Sequence, residues 1–278
     1  MNRHNVTDST ECGSMTPDEP PLHYIWMAEG ENVPIVLIHG FGSSIAGWHP
    51  FMPVLPTGHA VLAIDLPGHG RSALGDNVSL EGFAASVATT IKHAGLLTFH
   101  LVGHSLGAAV AARVACNVSS AARSLTLISA AGLGSEINKE FLDGFTSARD
   151  EGTLEHWMQE LVADPAWITP AFIRATLKPR REPTFNAGQA LIVEKFFPGG
   201  MQKISIRRDL ERIAIPTSMA FGSSDRIIPA KHLLDLPGSI SLHVIDDVGH
   251  LPHIESQDRI AHLLLQAIGS SGTGCSSQ

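Results

Sequence analysis

The chain has 278 residues, 44% of them apolar and 17% charged, which is enough apolar material for one buried core and far from a disordered composition. A formal charge of −8 with no basic run excludes nucleic acid as a partner, because that affinity comes from Lys and Arg neutralising phosphates. Three cysteines, two of them in the polar ends, give neither a disulfide framework nor a CxxC metal site and point to a reducing cytoplasm. The first twenty residues hold no apolar stretch that could act as a signal peptide. The longest apolar stretch, residues 106–118, contains Arg113 and falls short of the roughly 20 residues a membrane span needs, so it reads as a buried helix and no membrane association is expected.

In chain order, residues 1–21 read as a disordered tail and residues 22–27 as an added antiparallel edge strand. Apolar, β-branched runs at 34–38 (PIVLI), 60–64 (AVLAI), 99–102 (FHLV), 125–128 (LTLI), 217–221 (TSMAF) and 242–245 (LHVI) then alternate with longer helical stretches. Such runs are apolar on both faces, as a helix-covered parallel sheet requires, so the expected class is α/β with a mostly parallel sheet flanked by helices. Between 133 and 209 the strand signals stop, and helical stretches are broken by Pro165, Pro170, Pro179, Pro183 and Pro198. This block reads as a helical cap, or lid, inserted over the strand ends of a core made of residues 22–132 and 210–268. Residues 260–268 read as the last helix, and the Gly/Ser-rich residues 269–278 as a flexible tail.

The chemistry-bearing runs sit where strands end. Gly103-His104-Ser105-Leu106-Gly107 matches GxSxG, a pattern that a chain of this length contains by accident roughly one time in ten, so its setting has to carry the argument. It follows the strand run at 99–102 and opens a stretch rich in small residues, the strand–turn–helix context of a nucleophile elbow. A serine hydroxyl needs a base to take its proton and a carboxylate to hold that base. Asp225 lies just beyond the run at 217–221, and His250 just beyond the run at 242–245, in the order Ser, Asp, His. His104 and His253 are the nearest rivals for the base; the first is expected to pack, the second to begin the last helix. Asp246 and Asp247 compete with Asp225 but sit too close to His250 in sequence to orient it from an ordinary loop. For a developing oxyanion, His39-Gly40-Phe41-Gly42 after the first parallel strand offers the Phe41 amide, and the residue after the serine offers the Leu106 amide.

Two other patterns are set aside. Residues 68–73 spell GxGxxA, but a dinucleotide site needs the glycines to open a helix directly, and here Ser79 is the better helix N-cap several residues later. His250-x-x-His253 lacks the HExxH pattern and any second ligand cluster, so neither a metal nor a cofactor is expected.

Taken together, HGFG at 39–42, DLPGHGRS at 65–72, GHSLG at 103–107, GSSDRIIP at 222–229 and VGH at 248–250 resemble the α/β-hydrolase superfamily over residues 22–268. A narrower resemblance, carried by residues 124–137 (SLTLISAAGLGSEI), 141–145 (FLDGF) and 225–229 (DRIIP), is to the hydrolase-like domain of the acetoin dehydrogenase acyltransferase component. That resemblance implies acetyl transfer to dihydrolipoamide and association with a dehydrogenase complex. A lipoyl domain precedes the hydrolase-like domain in that family, and the 21 polar residues here are too few to hold one.

The residues themselves imply hydrolysis of a carboxylic ester or thioester, with a small or medium hydrophobic acyl group, through an acyl-enzyme: Ser105 as nucleophile, His250 as base, Asp225 orienting it, and Phe41 and Leu106 binding the oxyanion. Acyl transfer to a thiol, carbon–carbon bond hydrolysis on the same triad and a non-catalytic binding module are the other readings. The lid residues Phe141, Phe145, Trp157, Met158, Leu161, Trp167, Phe172, Phe196 and Phe197 are candidates to line an apolar acyl pocket, or to pack the lid on the core.

Overall fold

The computed structural model describes residues 20–118 and 120–272. Of the two expected tails, residues 1–19 and 273–278 lie outside the described residues. The sheet has seven strands: β1 (Tyr24–Ala28), β2 (Asn32–Ile38), β3 (His59–Ile64), β4 (Phe99–His104), β5 (Ala122–Ile128), β6 (Thr217–Gly222) and β7 (Ile240–Ile245), in the spatial order β1-β3-β2-β4-β5-β6-β7. Only β1 runs antiparallel, pairing Tyr24 with Ile64, as the edge strand expected there; all the other pairs are parallel. A 3-10 helix (Ile45–Val54), α1 (Leu80–His93) and α2 (Leu106–Asn117) join the first strands, and α1 is capped by the Ser79 hydroxyl accepting from Gly82 N at 3.0 Å.

Successive residues of β2 face opposite sides of the sheet, and each side has its own apolar cluster. Val36 and Ile38 pack with α1 and α2, whereas Ile35 and Leu37 pack with Trp48 and Phe51 of the 3-10 helix and with Ile260 and Leu264 of the last helix. One expectation fails at the far edge: Leu242 and Val244 of β7 are 40% and 48% exposed, not buried on both faces. The last helix packs on β5 and β6 and leaves the outermost strand half covered.

Between β5 and β6 lie α3 (Lys139–Ser147), α4 (Glu151–Gln159), α5 (Pro170–Leu177), α6 (Pro183–Phe196) and α7 (Arg207–Arg212), with 3-10 turns at Pro165–Trp167, Lys178–Arg181 and Pro198–Gly200. The prolines of this block stand in the first turn of the helices they begin, where a missing N–H costs nothing. α7 spans position 209, and a bridge between Glu136 and Met201 joins the two ends of the helical block. The chain closes with α8 (Pro252–Glu255) and α9 (Gln257–Gly272). His253 therefore lies in a separate one-turn helix and does not begin the last one, and residues 269–272 of the expected tail are helical because α9 runs on.

Beyond β3 the next strand, β4, is laid on the other side of β2, so the sheet changes winding direction between β2 and β4. The crevice at such a switch point, outside the strands' carboxyl ends, is where open α/β sheets hold ligands. Ile38 pairs with Gly103, which sets HGFG beside GHSLG at that crevice.

Candidate active site

Ser105 is the turn between β4 and α2, at φ 53° and ψ −117°, a conformation that a non-glycine residue adopts only when its surroundings hold it there. They do so here: Ser105 N donates to Ile128 O at the end of β5 (2.9 Å), and Ser105 O accepts from Ala131 N (3.1 Å). α2 then passes so close to β2 that a Cβ at Gly107 would run into the carbonyl oxygens of Ile38 and His39, which explains that glycine.

The three sequence-chosen side chains meet. His250 Nε2 is 3.0 Å from Ser105 Oγ, and His250 Nδ1 is 2.7 Å from Asp225 Oδ2. A carboxylate only accepts, so Nδ1 carries the imidazole proton and Nε2 is free to accept from the serine hydroxyl. The other Asp225 oxygen accepts from Ile227 N (2.8 Å) and Ile228 N (2.9 Å), which fixes the carboxylate plane. Asp247, one of the rivals, is exposed at φ 55°; His104 and His253 are buried, and among the described residues only His250 hydrogen-bonds to the serine hydroxyl. His104 Nε2 donates to His250 O at 2.9 Å and so steadies the backbone of the base. Burial and neighbouring histidines hold His104 well below the ordinary imidazole value, and burial first, then His250, pushes His253 down to about 3, so both stay neutral.

Leu106 follows the serine in the chain, and Phe41 lines the pocket that also contains Ser105. Gly40 lies against Ser105 Cβ and His104, and among the described residues the amides of Phe41 and Leu106 have no hydrogen-bond acceptor. The neighbouring Gly42 N donates to His69 Nε2 at 3.0 Å, while His69 Nδ1 donates to Pro67 O. Burial, then His39, holds His69 near 3, so its Nε2 stays an acceptor for that amide.

Sequence reasoning missed His69, Asp65 and Glu255. Asp65 accepts from Ile45 N (2.8 Å), Arg71 N (3.0 Å) and His23 Nδ1 (2.8 Å), tying the loops after β2 and β3 together. The DLPGHGRS run was the available signal; it entered above as a failed dinucleotide motif and as part of the family resemblance, with no role given to Asp65 or His69. Glu255 accepts from Gly249 N, Leu251 N and Ala163 N, clasping both sides of His250 and the segment after α4.

Above Ser105 is a pocket of about 60 Å³. Of the nine lid candidates, Phe141, Phe145, Met158, Leu161, Phe172 and Phe197 line it. Trp157 instead packs on Gly144, Phe196 on Phe83, and Trp167 is 41% exposed. Among the described residues no group of three His, Cys, Asp or Glu side chains could hold a metal, and no helix is long and apolar enough to cross a membrane.

Residues 35–263 match the alpha/beta hydrolase family, and the chain belongs to it. A methyl ester esterase and a monoacylglycerol lipase are among the curated proteins it is similar to. Over 233 residues, 84% of this chain, it is 33% identical to the dihydrolipoyllysine-residue acetyltransferase component of the acetoin cleaving system of Pseudomonas putida, and it spans 62% of that protein's length. It is 29% identical over 264 residues to the pimeloyl-(acyl-carrier protein) methyl ester esterase of Methylococcus capsulatus, covering 87% of this chain and 97% of that one. Among solved structures, a meta-cleavage product hydrolase from Pseudomonas fluorescens IP01 superimposes with a TM-score of 0.77 at 22% identity, over 88% of this chain and 93% of that chain.

Proposed function

We propose that this chain is a serine hydrolase of a small carboxylic ester or thioester, acting through an acyl-enzyme on Ser105. The carrying observation is the hydrogen-bonded chain Ser105–His250–Asp225, at 3.0 and 2.7 Å, opening into an apolar pocket. Ser105 Oγ bonds to the carbonyl carbon as its proton passes to His250 Nε2, and Asp225 holds the imidazolium through Nδ1–H. The Phe41 and Leu106 amides receive the negative oxygen of the tetrahedral intermediate. Its collapse breaks the bond to the leaving group, which takes the proton from His250. Water then repeats the sequence on the acyl-serine and frees the acid.

The pocket limits the acyl group. At about 60 Å³ and with mostly apolar walls, it favours a short acyl group over a long one. A p-nitrophenyl ester series from acetate to octanoate tests this: kcat/KM peaks at short chains, and Ser105→Ala loses on the order of 10⁴ to 10⁶ in rate. No turnover by the native protein, or full rate in the variant, overturns the proposal.

Acyl transfer to a thiol is the second reading, favoured by the 33% identity to an acetyltransferase component. On it, dihydrolipoamide outcompetes water for the acyl-serine. Acyl-dihydrolipoamide forming faster than free acid would select it, and free acid alone would reject it.

A further inference from the structure

Beyond Gly42, Ser43 and Gly47 the pocket over Ser105 continues into a groove of about 1100 Å³, bounded by the loop after β3 and by lid helices α5 and α6. The apolar pocket already accounts for a short acyl group, and nothing in the hydrolytic chemistry uses this wider space. Most of its lining is small or apolar, but three of its four charged residues are cations: Arg71 comes from the loop, Lys178 and Arg181 from the 3-10 turn Lys178–Arg181, and Glu182 is its one acidic residue. Among the described residues none of the three cations is paired with a carboxylate, on a chain whose formal charge is −8.

Arg180, in the same turn, is an independent sign. It is 3% exposed, yet among the described residues no carboxylate meets it. Nη1 donates to Phe145 O at 2.6 Å, the guanidinium lies 4.2 Å from the centre of the Phe145 ring, and Nε has no partner. A buried cation without a counter-ion is costly, and it adds a positive field between the acyl pocket, which Phe145 lines, and the groove, which Pro179 and Arg181 line.

We propose that the groove binds a phosphate carried by the leaving group, so that the substrate is an acyl ester or thioester of a phosphorylated alcohol or thiol. This rests on the Ser105 reading above: the short acyl group occupies the apolar pocket, and the freed alcohol or thiol leaves through the groove with the proton from His250. Two sources share this chemistry, a phosphopantetheine-type thiol arm and a glycerophosphate headgroup.

The test compares kcat/KM within two pairs that share one acyl group: butyryl-coenzyme A against the butyryl thioester of N-acetylcysteamine, and 1-butyryl-glycerol 3-phosphate against 1-butyryl-glycerol. The phosphate-bearing member of one pair is preferred on the order of tenfold, about what one charge-assisted contact supplies at a partly exposed rim, and that pair names the source. The preference shrinks with added salt, because the contacts are solvent-exposed. In the triple variant R71Q/K178Q/R181Q the ratio falls towards one, with an unchanged melting temperature and retained fluorophosphonate labelling reporting an intact fold. A ratio of one in both pairs, in protein that turns the substrates over and takes the label, overturns the groove proposal alone. Absence of both turnover and label overturns the Ser105 reading, and this one with it.

Discussion

At Ser105 the backbone is held in a conformation that serine avoids, and the hydroxyl it presents is 3.0 Å from His250 Nε2, whose tautomer is set by the bond from Nδ1 to Asp225. That tautomer depends on the Asp225 carboxylate, so Asp225→Asn keeps the shape but favours the wrong imidazole proton. Its kcat on a short p-nitrophenyl ester falls on the order of 10⁴, and a loss under tenfold would mean that Asp225 does not set the tautomer. His69 acts one step further away, through Gly42 N, on the peptide that follows Phe41. On the proposed mechanism it positions the oxyanion loop, and the expected outcome is that His69→Ala lowers kcat on the order of 10² while KM moves little, and that His69→Gln, whose amide oxygen can accept from Gly42 N, recovers part of the loss. A rise in KM at constant kcat, or no recovery with Gln, would assign His69 to packing alone. Ser105, Asp225 and His250 were legible because each stands directly after a short apolar run, and a strand's carboxyl end is where this architecture displays side chains. His69 was not, because its role is a side-chain acceptor for an amide 27 residues earlier in the chain, a contact that exists only once two loops are brought together.

The helical block is tied to the triad by its own backbone. Leu161 O accepts from His250 N (2.7 Å), Gln159 O and Val162 O accept from Arg226 beside Asp225, and Ala163 N donates to Glu255 (2.7 Å). Residues 159–163 thus hold the loops that carry Asp225 and His250 at once. Glu255 is the element that clasps them, since one carboxylate serves three amides on both sides of the joint. Glu255→Gln replaces one accepting oxygen by a donor and costs about 1–3 kcal/mol, which lowers the melting temperature by roughly 2–12 °C for a domain of this size. Activity falls with it, because His250 loses its flanking anchors. A variant that melts and turns over like the native protein would show the clasp to be idle. The existence of this block was readable from the end of strand signals after residue 132, but its inward face was not. Phe145, Phe172 and Phe197 line the pocket and Trp157, Phe196 and Trp167 do not, although all six are aromatic residues of the same helical block. Which of them turns inward is decided by packing between helices, after the local pattern has been spent.

Across the molecule, the sheet order accounts for the location of the site, and burial accounts for how the protein responds to acid. His69 and His253 are buried and held near pH 3, His100 near 4, and His104 well below 6.5, all with desolvation as the first cause. Between those values and 6.5 the unfolded chain binds protons on these rings and the folded chain does not. Stability therefore rises with pH through that window and levels off above about 6.5, and at pH 5 His69 and His253 each cost on the order of 1–2 kcal/mol relative to pH 7.5. Urea midpoints at pH 7.5 and 5 check this: a lower midpoint at pH 5 is expected, and equal midpoints would contradict neutral burial of these histidines. The exposure of β7 belongs to the same scale, because an apolar run is the same letters at the edge of a sheet as at its centre, and only the reach of α9 decides how much of it is covered. The central claim, that Ser105 is an activated nucleophile, is tested most directly by treating the native protein and Ser105→Ala with a fluorophosphonate, followed by intact mass and peptide mapping. A single adduct on Ser105 that is absent from the variant is the predicted result; no adduct on the native protein, or an equal adduct on the variant, would contradict it.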